Sequence, residues 1–418
     1  MAYDGNAARG ASARKGWRAS LSKLLRGPGK VKPRLAPERK NLAGSFVTLH
    51  QLGAPSWGAR DYAALARMGY LRNPIVNRCI RLISEAAASV ALTVTENGEA
   101  QIDHPLAMLL ARPNRNQSGA GLLEEFFGYL QTAGDAYLEA VRIDGAVRQL
   151  FALRPDRIRI RAGADGWPQA YEYDVDSRKR VFPAEDADGF SPILHLKLFH
   201  PLSDHYGASP LEAAADSLEI HNAAAAWNKA LLDNAARPSG ALVYKGAEGA
   251  PNLTSEQFER LKQELADIYQ GAENAGRPLL LEGGLDWRQI SLSPADMDFV
   301  EAKNVAAREI ALAFGVPPML LGIPGDNTYA NYREANLAFW KHTVIPLLRK
   351  TTAAFSGWLG PQFEGAGVEF NADRIEALAV EREFRWRRIA NASFLTTNEK
   401  RRLLGFPPLE DEDHLPSE

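Results

Sequence analysis

Four side chains that can bind a metal ion lie within the stretch HLKLFHPLSDHYG. They are His195, His200, Asp204 and His205, and their imidazole and carboxylate groups are ligands that Zn²⁺ accepts. The cluster therefore defines one hypothesis, a metal-dependent hydrolase. Its spacing matches no standard metal-binding motif, so we predict no metal site here and keep the hydrolase as an alternative.

The sequence lacks the motifs of other common enzyme classes. It has neither a GxxxxGK[ST] phosphate-binding loop nor a GxSxG nucleophile elbow. The single cysteine, Cys79, lies in the helical apolar run IVNRCIRLI, and one cysteine excludes both an internal disulfide and a multi-cysteine metal site. We predict a chain without catalytic residues, cofactor or metal, and a buried Cys79 thiol.

The first 40 residues differ in charge from the rest of the chain. They contain eleven Lys and Arg residues against two acidic ones, a net charge of +9, so the remainder carries −11 to give the total of −2. We expect residues 1–44 to be a basic, disordered arm. The acidic remainder argues against tight wrapping of DNA. No apolar run approaches the roughly 18 residues that cross a bilayer, so no membrane contact is expected.

Helix and strand patterns alternate between about residues 60 and 206. NPIVNRCIRLIS and GLLEEFFGYLQTA have the apolar spacing of amphipathic helices. AYLEAVRIDGAVRQLFAL alternates on both sides of Asp144-Gly145, which is a hairpin signal, and RIRIRA, AYEYDV and ILHLKLF continue the alternation. The pattern predicts an α+β fold with an antiparallel sheet.

Two helix starts share the order Ser-Pro-x-acid, which combines a capping serine, a first-turn proline and a carboxylate that can complete a capping box. The first consists of Ser209, Pro210 and Glu212, and the second of Ser293, Pro294 and Asp296. The first helix is Ala-rich and meets no breaker before Ala236, so we expect one unbroken helix of about 27 residues. A small α/β module separates it from the second helix.

The second helix leads into FGVPPMLLGIPGDNTYANYREA, residues 314–335. Gly315 is the expected C-cap, and two prolines follow it and prevent the helix from continuing. A helix of about 30 residues is expected after the loop, and Pro346 removes one of its backbone hydrogen bonds and should kink it. Because helices flank the loop on both sides, the loop is the first candidate for function.

These segments, in this order, resemble a known family. GASPLEAA, the long Ala-rich helix, the inserted module, SLSPADMDFVEAKNVAAREIALAFGVPPMLLG and YANYREA are similar to the portal proteins of tailed bacteriophages, of the type found in long-tailed phages and gene transfer agents. The resemblance covers about residues 45–410. It is most specific over residues 294–340, where residue types and order both match.

The resemblance implies a structural role in a virus-like particle. Portal proteins form rings, usually of twelve identical subunits, at one capsid vertex, and double-stranded DNA enters and leaves through the central channel. The implied partners are further copies of the chain, the terminase large subunit, the head–tail adaptor and the major capsid protein. The implied location is the virion, after assembly in the cytoplasm of a bacterial host.

The resemblance also implies a place in the ring for each segment of the chain. Residues 45–206 would form the wing, 207–236 and 294–315 the paired stem helices, 237–293 the clip, 316–331 the tunnel loop, 332–371 the long kinked helix and its return to the wing, and 372–418 the helical crown with an acidic tail. The clip would contact the motor and the adaptor, and Glu259, Lys262 and Asp267 are its candidate contact residues.

The tunnel loop would surround the duplex. Its candidate DNA-facing residues are Asp326, Asn327, Thr328, Tyr329, Asn331, Tyr332 and Arg333. Reading of bases would need bidentate groups inserted in a groove, whereas a moving duplex needs weak and interchangeable contacts. We therefore expect low adhesion. The alternatives are that one or both tyrosines pack the loop onto the stem and that Arg333 pairs with a neighbouring subunit.

A third hypothesis, besides the conduit and the hydrolase, is a capsid structural or scaffold subunit. Such a subunit would build closed shells rather than discrete rings, so the state of assembly distinguishes it from a conduit.

Overall fold

The chain folds into helices and short antiparallel strands, in a computed structural model that describes residues 62–233, 240–244, 254–269, 285–289, 299–324 and 329–409. The helices are α1 (Tyr62–Leu65), α2 (Pro74–Ser89), α3 (Pro105–Ala111), α4 (Gly119–Ala133), α5 (Pro210–Ala213), α6 (Ala215–Asp233), α7 (Ser255–Tyr269), α8 (Phe299–Ala313), α9 (Tyr329–Phe339), α10 (Ile345–Leu359), α11 (Ala379–Ala390) and α12 (Thr397–Leu403). The arm predicted at residues 1–44 lies outside the described residues.

The strands form several small sheets rather than one. They are β1 (Leu92–Glu96), β2 (Glu99–Ala100), β3 (Asp135–Ile143), β4 (Ala146–Leu153), β5 (Ile158–Ala162), β6 (Pro168–Val175), β7 (Arg178–Pro183), β8 (Ile193–Lys197), β9 (Gly240–Tyr244), β10 (Leu285–Gln289) and β11 (Gly367–Phe370). Within the described ranges the sheet orders are β11-β1-β2, β4-β3-β8, β5-β6-β7 and β10-β9, and every pairing is antiparallel. The mixed helix-and-sheet class is confirmed.

The hairpin predicted at Asp144-Gly145 joins β3 to β4. Ile143 pairs with Ala146, and Asp144 and Gly145 both have positive φ, +53° and +78°. Two successive positive φ angles are the requirement of a type I′ turn, whose twist matches that of the flanking strands. The turn therefore sets the register of the β3–β4 pairs next to it, up to the register shift between Val141 and Arg142.

The main core lies between helices α2, α4 and α10. Phe126 of α4 is fully buried, and its ring lies 5.7 Å from that of Phe127 and 6.1 Å from that of Phe355 on α10. Cys79 of α2 is also fully buried, as predicted, and burial raises the pKa of its thiol to about 12. The thiol is therefore a packing group rather than a nucleophile.

The start of α5 confirms one expectation and corrects two. Ser209 is the N-cap, but its hydroxyl accepts from Leu211 N at 3.0 Å, and the described residues show no capping box with Glu212. The reason is that the same hydroxyl donates to Gln131 O at 3.0 Å and is held towards α4. The expected unbroken helix is interrupted at Ala214, where ψ is 9°.

In its described residues the inserted module forms a strand, a helix and a strand. Strands β9 and β10 pair over five residues each, and α7 begins with a capping box in which Thr254 and Gln257 bond each other's backbone N–H. Ser293, Pro294 and Asp296, the second predicted helix start, lie outside the described residues.

The long helix after the loop is interrupted as Pro346 predicts. Residues Trp340–Val344 form a π-helical segment between α9 and α10. Since Pro346 has no N–H to donate, the turn before it widens instead of continuing the regular α-helical hydrogen bonds.

The described residues contain no helix that is both long and apolar enough to cross a membrane.

Buried polar groups tie α6 to the start of α2. Asn73 caps α2 through its carboxamide oxygen, which accepts from Ile75 N at 3.0 Å and Val76 N at 3.1 Å. Its Nδ2 must therefore donate, and it does so to His221 Nδ1 at 3.0 Å and to Asn222 Oδ1 at 2.9 Å. His221 is thus neutral in the folded chain, because its Nδ1 is needed as an acceptor.

The buried hydrogen bonds of His221 predict that the contact between α6 and the start of α2 weakens at low pH. Burial, with a smaller effect of Lys303, lowers the pKa of His221. A lowered folded-state pKa means that the unfolded chain takes up the proton first, so the free energy of unfolding should decrease as pH falls below about 6.5. Urea unfolding between pH 7 and pH 5 should show a smaller loss in His221→Gln than in wild type. Equal losses in both would contradict the prediction, and the exposed His342→Gln is the matched control.

Candidate functional site: the loop between two helices

Helix α8 ends in a fully bonded C-terminal turn. Val316 N donates to Ala311 O and Gly315 N donates to Leu312 O, both at 2.9 Å, which is the pair of bonds of a Schellman motif. Gly315 has a φ of +64°, a conformation that side chains with a Cβ rarely adopt. The predicted C-cap is therefore confirmed, and it fixes the direction in which the chain enters the loop.

The first half of the loop folds back onto α8. Ile323 is buried against Ala307 and Ala311 of that helix, and the Arg308 guanidinium donates to the carbonyl oxygen of Pro324. Between these anchors and the end of α8, Pro318–Leu321 form a single 3₁₀ turn. The loop is thus attached to α8 by an apolar contact and a charge-assisted hydrogen bond.

The loop entrance is also tied to the π-helical segment. The Thr343 hydroxyl donates to Gly315 O at 2.6 Å, and a Cβ added at Gly315 would lie 2.8 Å from that hydroxyl oxygen. The segment from Gly315 to Pro324 is therefore attached both to α8 and to the π-helical segment, and Pro324 itself is held against α8 by Arg308.

The candidate DNA-facing residues are only partly described. Asp326, Asn327 and Thr328 lie outside the described residues, as does the side chain of Tyr329, whose backbone opens α9. Asn331, Tyr332 and Arg333 follow on the first turns of α9 and are exposed, with 51% of Tyr332 accessible.

Tyr332 and Arg333 border a cleft that the sequence does not predict. The cleft has a volume of about 750 Å³, and Trp340 and Arg374 also line it. Its charged lining residues are Arg333, Arg374 and Glu376, so two cations face one carboxylate there. Because Arg374 follows β11 in the chain, Tyr332 borders the same cleft as the residues after β11, and 51% of its surface remains exposed.

The four potential metal ligands do not form a site. His195 is bonded through Nε2 to Asp135 Oδ1 at 2.7 Å and is stacked on Tyr137 with ring centroids 4.3 Å apart. His200 Nδ1 accepts from the backbone N–H of Leu202 at 3.0 Å. Across the part of the chain that the structure describes, no three His, Cys, Asp or Glu side chains are placed to hold a metal ion. The described geometry gives the hydrolase hypothesis no support, since His195 instead joins β8 to β3.

The candidate clip residues lie on α7. Glu259 and Lys262 are exposed and 3.7 Å apart, an i,i+3 pair on one face of the helix. Asp267 belongs to the same helix, but its side chain is outside the described residues. An exposed pair of this kind adds little stability, so both side chains are available to a partner.

Three residues of the site were not predicted: Arg308, Ile323 and Thr343. Ile323 had only a weak local signal, because it is an apolar residue between Gly322 and Pro324. Arg308 and Thr343 had none, since their partners are backbone oxygens that tertiary folding brings near.

Comparison with known proteins identifies the family. The family model described as phage portal protein matches residues 74–405. The chain is similar to a chain in the neck of an empty gene transfer agent (GTA) particle, computed with C6 symmetry, at 52% identity and a TM-score of 0.68, covering 85% of this chain and 96% of that one. It is also similar to a chain in the neck of the native GTA particle, computed with C12 symmetry, at 52% identity, the same coverage and a TM-score of 0.66.

A relative from a bacterium shows similar coverage. An uncharacterized protein of Rickettsia bellii (strain RML369-C) is 44% identical over 383 residues, which span 90% of this chain and 98% of that protein. The family model alone covers well over half of the chain. The chain therefore belongs to the phage portal protein family.

Proposed function

We propose that about twelve copies of this portal protein form a ring at one capsid vertex and that double-stranded DNA passes through its central channel during packaging and ejection. The similar GTA neck chains, computed with C12 and C6 symmetry, support a cyclic assembly. The ring would reside in the virion after assembly in the bacterial host cytoplasm.

The doubly anchored loop is the observation that carries this proposal. A collar around a sliding duplex must keep its diameter under load, and attachment to helices on both sides does this without rigid side chains at the tip. In the proposed ring, residues 316–331 form that collar and Arg333, on the first turns of α9, is the cation beside it. One cation per subunit allows contact with phosphates but little adhesion.

The other segments then take the places that the family resemblance implies. α6 packs along α8, with Ser217 Oγ 2.5 Å from Glu309 Oε2, so these helices would form the paired stem. The inserted module would be the clip, the region before residue 207 the wing, and the residues after 371 the crown. The major capsid protein would contact the outer surface of the ring.

The chemical work of packaging would belong to a partner. In the proposed ring the terminase large subunit docks on the clip during packaging, and the head–tail adaptor replaces it afterwards. The portal protein itself acts as a conduit and a platform, in keeping with its membership of a family of structural proteins.

The clip surface can be tested by substitution. Changing Glu259, Lys262 and Asp267 together to alanine is expected to leave rings intact but to weaken terminase binding, since Glu259 and Lys262 are exposed and such substitutions affect folding little. Pull-down of the terminase large subunit and DNA packaging in particles measure the effect. Normal packaging would show that this face of α7 is not the docking surface.

The ring itself is tested by native mass spectrometry of the purified chain. A discrete species of about twelve subunits is expected. A monomer or dimer with bound metal would favour the hydrolase instead, and closed shells would favour the scaffold hypothesis.

A further inference from the structure

Helix α11 lacks a core contact of its own. None of its residues is buried, and Val380 and Phe384 are 60% and 69% exposed. With Arg388 they occupy positions i, i+4 and i+8, so they form one stripe along the helix, which we call the α11 stripe. A helix of 12 residues is marginal in water unless an apolar face is covered, so this stripe needs a partner.

The partner of the stripe is not α12. The ring of Trp386 lies edge-on to Phe406, with centroids 6.2 Å apart, and Arg385 donates to Leu403 O at 3.0 Å. Trp386 is about 200° around the helix from Phe384, so its contact uses the side of α11 opposite the stripe, and Arg385 lies between the two sides. Among the described residues, Arg388 has no ion-pair partner, and Val380, though 60% exposed, also borders the cleft beside Tyr332.

A surface of opposite charge lies around β2 and α3. Ile102 and Met108 are 87% and 60% exposed, and the exposed carboxylates Glu99 and Asp103 flank them. Between residues 92 and 111 the sequence has no Lys or Arg. We call these four residues the β2–α3 surface. In the described structure neither of its flanking carboxylates forms an ion pair.

The β2–α3 surface lies at an edge of the sheet β11-β1-β2. In this sheet β2 is an edge strand, and α3 follows it in the chain. β2 pairs with β1 on one side only, so within the described ranges its outer edge is open. A head-to-tail cyclic ring repeats one contact between two different patches of neighbouring copies, and the α11 stripe and the β2–α3 surface are two such patches.

We propose that the α11 stripe of one copy packs on the β2–α3 surface of the next copy. Phe384 and Val380 cover Ile102 and Met108, and Arg388 faces Glu99 and Asp103. The inference rests on the proposed ring and names its intersubunit contact. A second copy fits better than another partner because the chain itself supplies the matching charge and apolar groups.

Cysteine cross-linking tests the contact directly. Chains carrying Phe384→Cys and chains carrying Ile102→Cys are assembled together and oxidised mildly, and covalent dimers are counted on a denaturing gel. The native Cys79 does not interfere, because it is fully buried. The matched control pairs Phe384→Cys with Phe199→Cys, since Phe199 is 84% exposed but lies in neither surface.

The outcomes separate this inference from the proposed function. The contact is supported if rings form and the test pair gives many covalent dimers while the control pair gives few. Rings without dimers overturn the contact but leave the conduit standing. Absence of rings in the wild-type chain overturns the conduit and the contact with it.

A charge exchange gives a second readout. Arg388→Glu places like charges together and should lower the fraction of chain in rings by roughly tenfold. Adding Asp103→Arg to the same chain restores the opposite charges and should recover rings. Failure of the second substitution to restore assembly would count against the contact.

Discussion

Particles built with a portal that lacks residues 325–331 are expected to assemble normally and to lose most of their packaged DNA. The deletion removes the tip of the loop and the first residues of α9, and keeps the anchors at Gly315, Ile323 and Thr343. Because those anchors belong to α8 and to the π-helical segment, the ring should still form while its aperture widens. Measuring DNA per purified particle, with ring assembly checked by negative-stain microscopy, tests the expectation.

A length-matched variant separates aperture from side-chain chemistry. Replacing residues 325–331 by seven Gly and Ser residues keeps the collar length, so DNA retention should stay nearer to the wild-type level than in the deletion. Wild-type retention in the deletion itself would show that this loop does not set the aperture.

Phe126→Ala is expected to reduce the free energy of unfolding by about 3–5 kcal/mol. Phe126 is fully buried and packs against Phe127 and Phe355, so alanine would leave a cavity where α4 meets α10. Since α10 continues the helix that follows the loop, this core also supports the loop. Urea unfolding of the unassembled chain measures the loss.

Phe384→Ala is the matched control, because it removes the same side chain from a site that is 69% exposed in one copy. Its effect on the unassembled chain should stay within about 0.5 kcal/mol. Equal losses in the two variants would mean that α4 and α10 do not form the main core.

Features that depend on one residue's backbone were predictable from the sequence. Gly315 ends α8 and Pro346 interrupts the long helix because a positive φ and a missing N–H act locally, whatever the surroundings. Asp144-Gly145 specified a hairpin for the same reason. Local rules therefore located the loop and both of its flanking helices.

Features that depend on distant partners were not predictable. The missing capping box at Ser209 follows from its hydrogen bond to Gln131 O, a residue 78 positions away in the sequence. Strand β11 pairs with β1 although more than 270 residues separate them, and no local pattern announces such pairing. The anchors Arg308 and Thr343 likewise bind backbone oxygens that only the folded chain brings near.

The clustered histidines are a case in which the sequence suggested a contact that the fold does not form. Their closeness in sequence suggested a common site. In the structure, however, His195 is hydrogen-bonded to Asp135 and stacked on Tyr137, and His200 accepts a hydrogen bond from the backbone of its own turn. Sequence proximity is a weak guide to ligand geometry, because a strand and the turn after it orient successive side chains differently.

Averaged electron micrographs of the purified assembly test the central claim most directly. We expect ring-shaped particles with an open axial channel wide enough for a DNA duplex and with residues 316–331 at its narrowest level. Compact particles without an axial opening would contradict it.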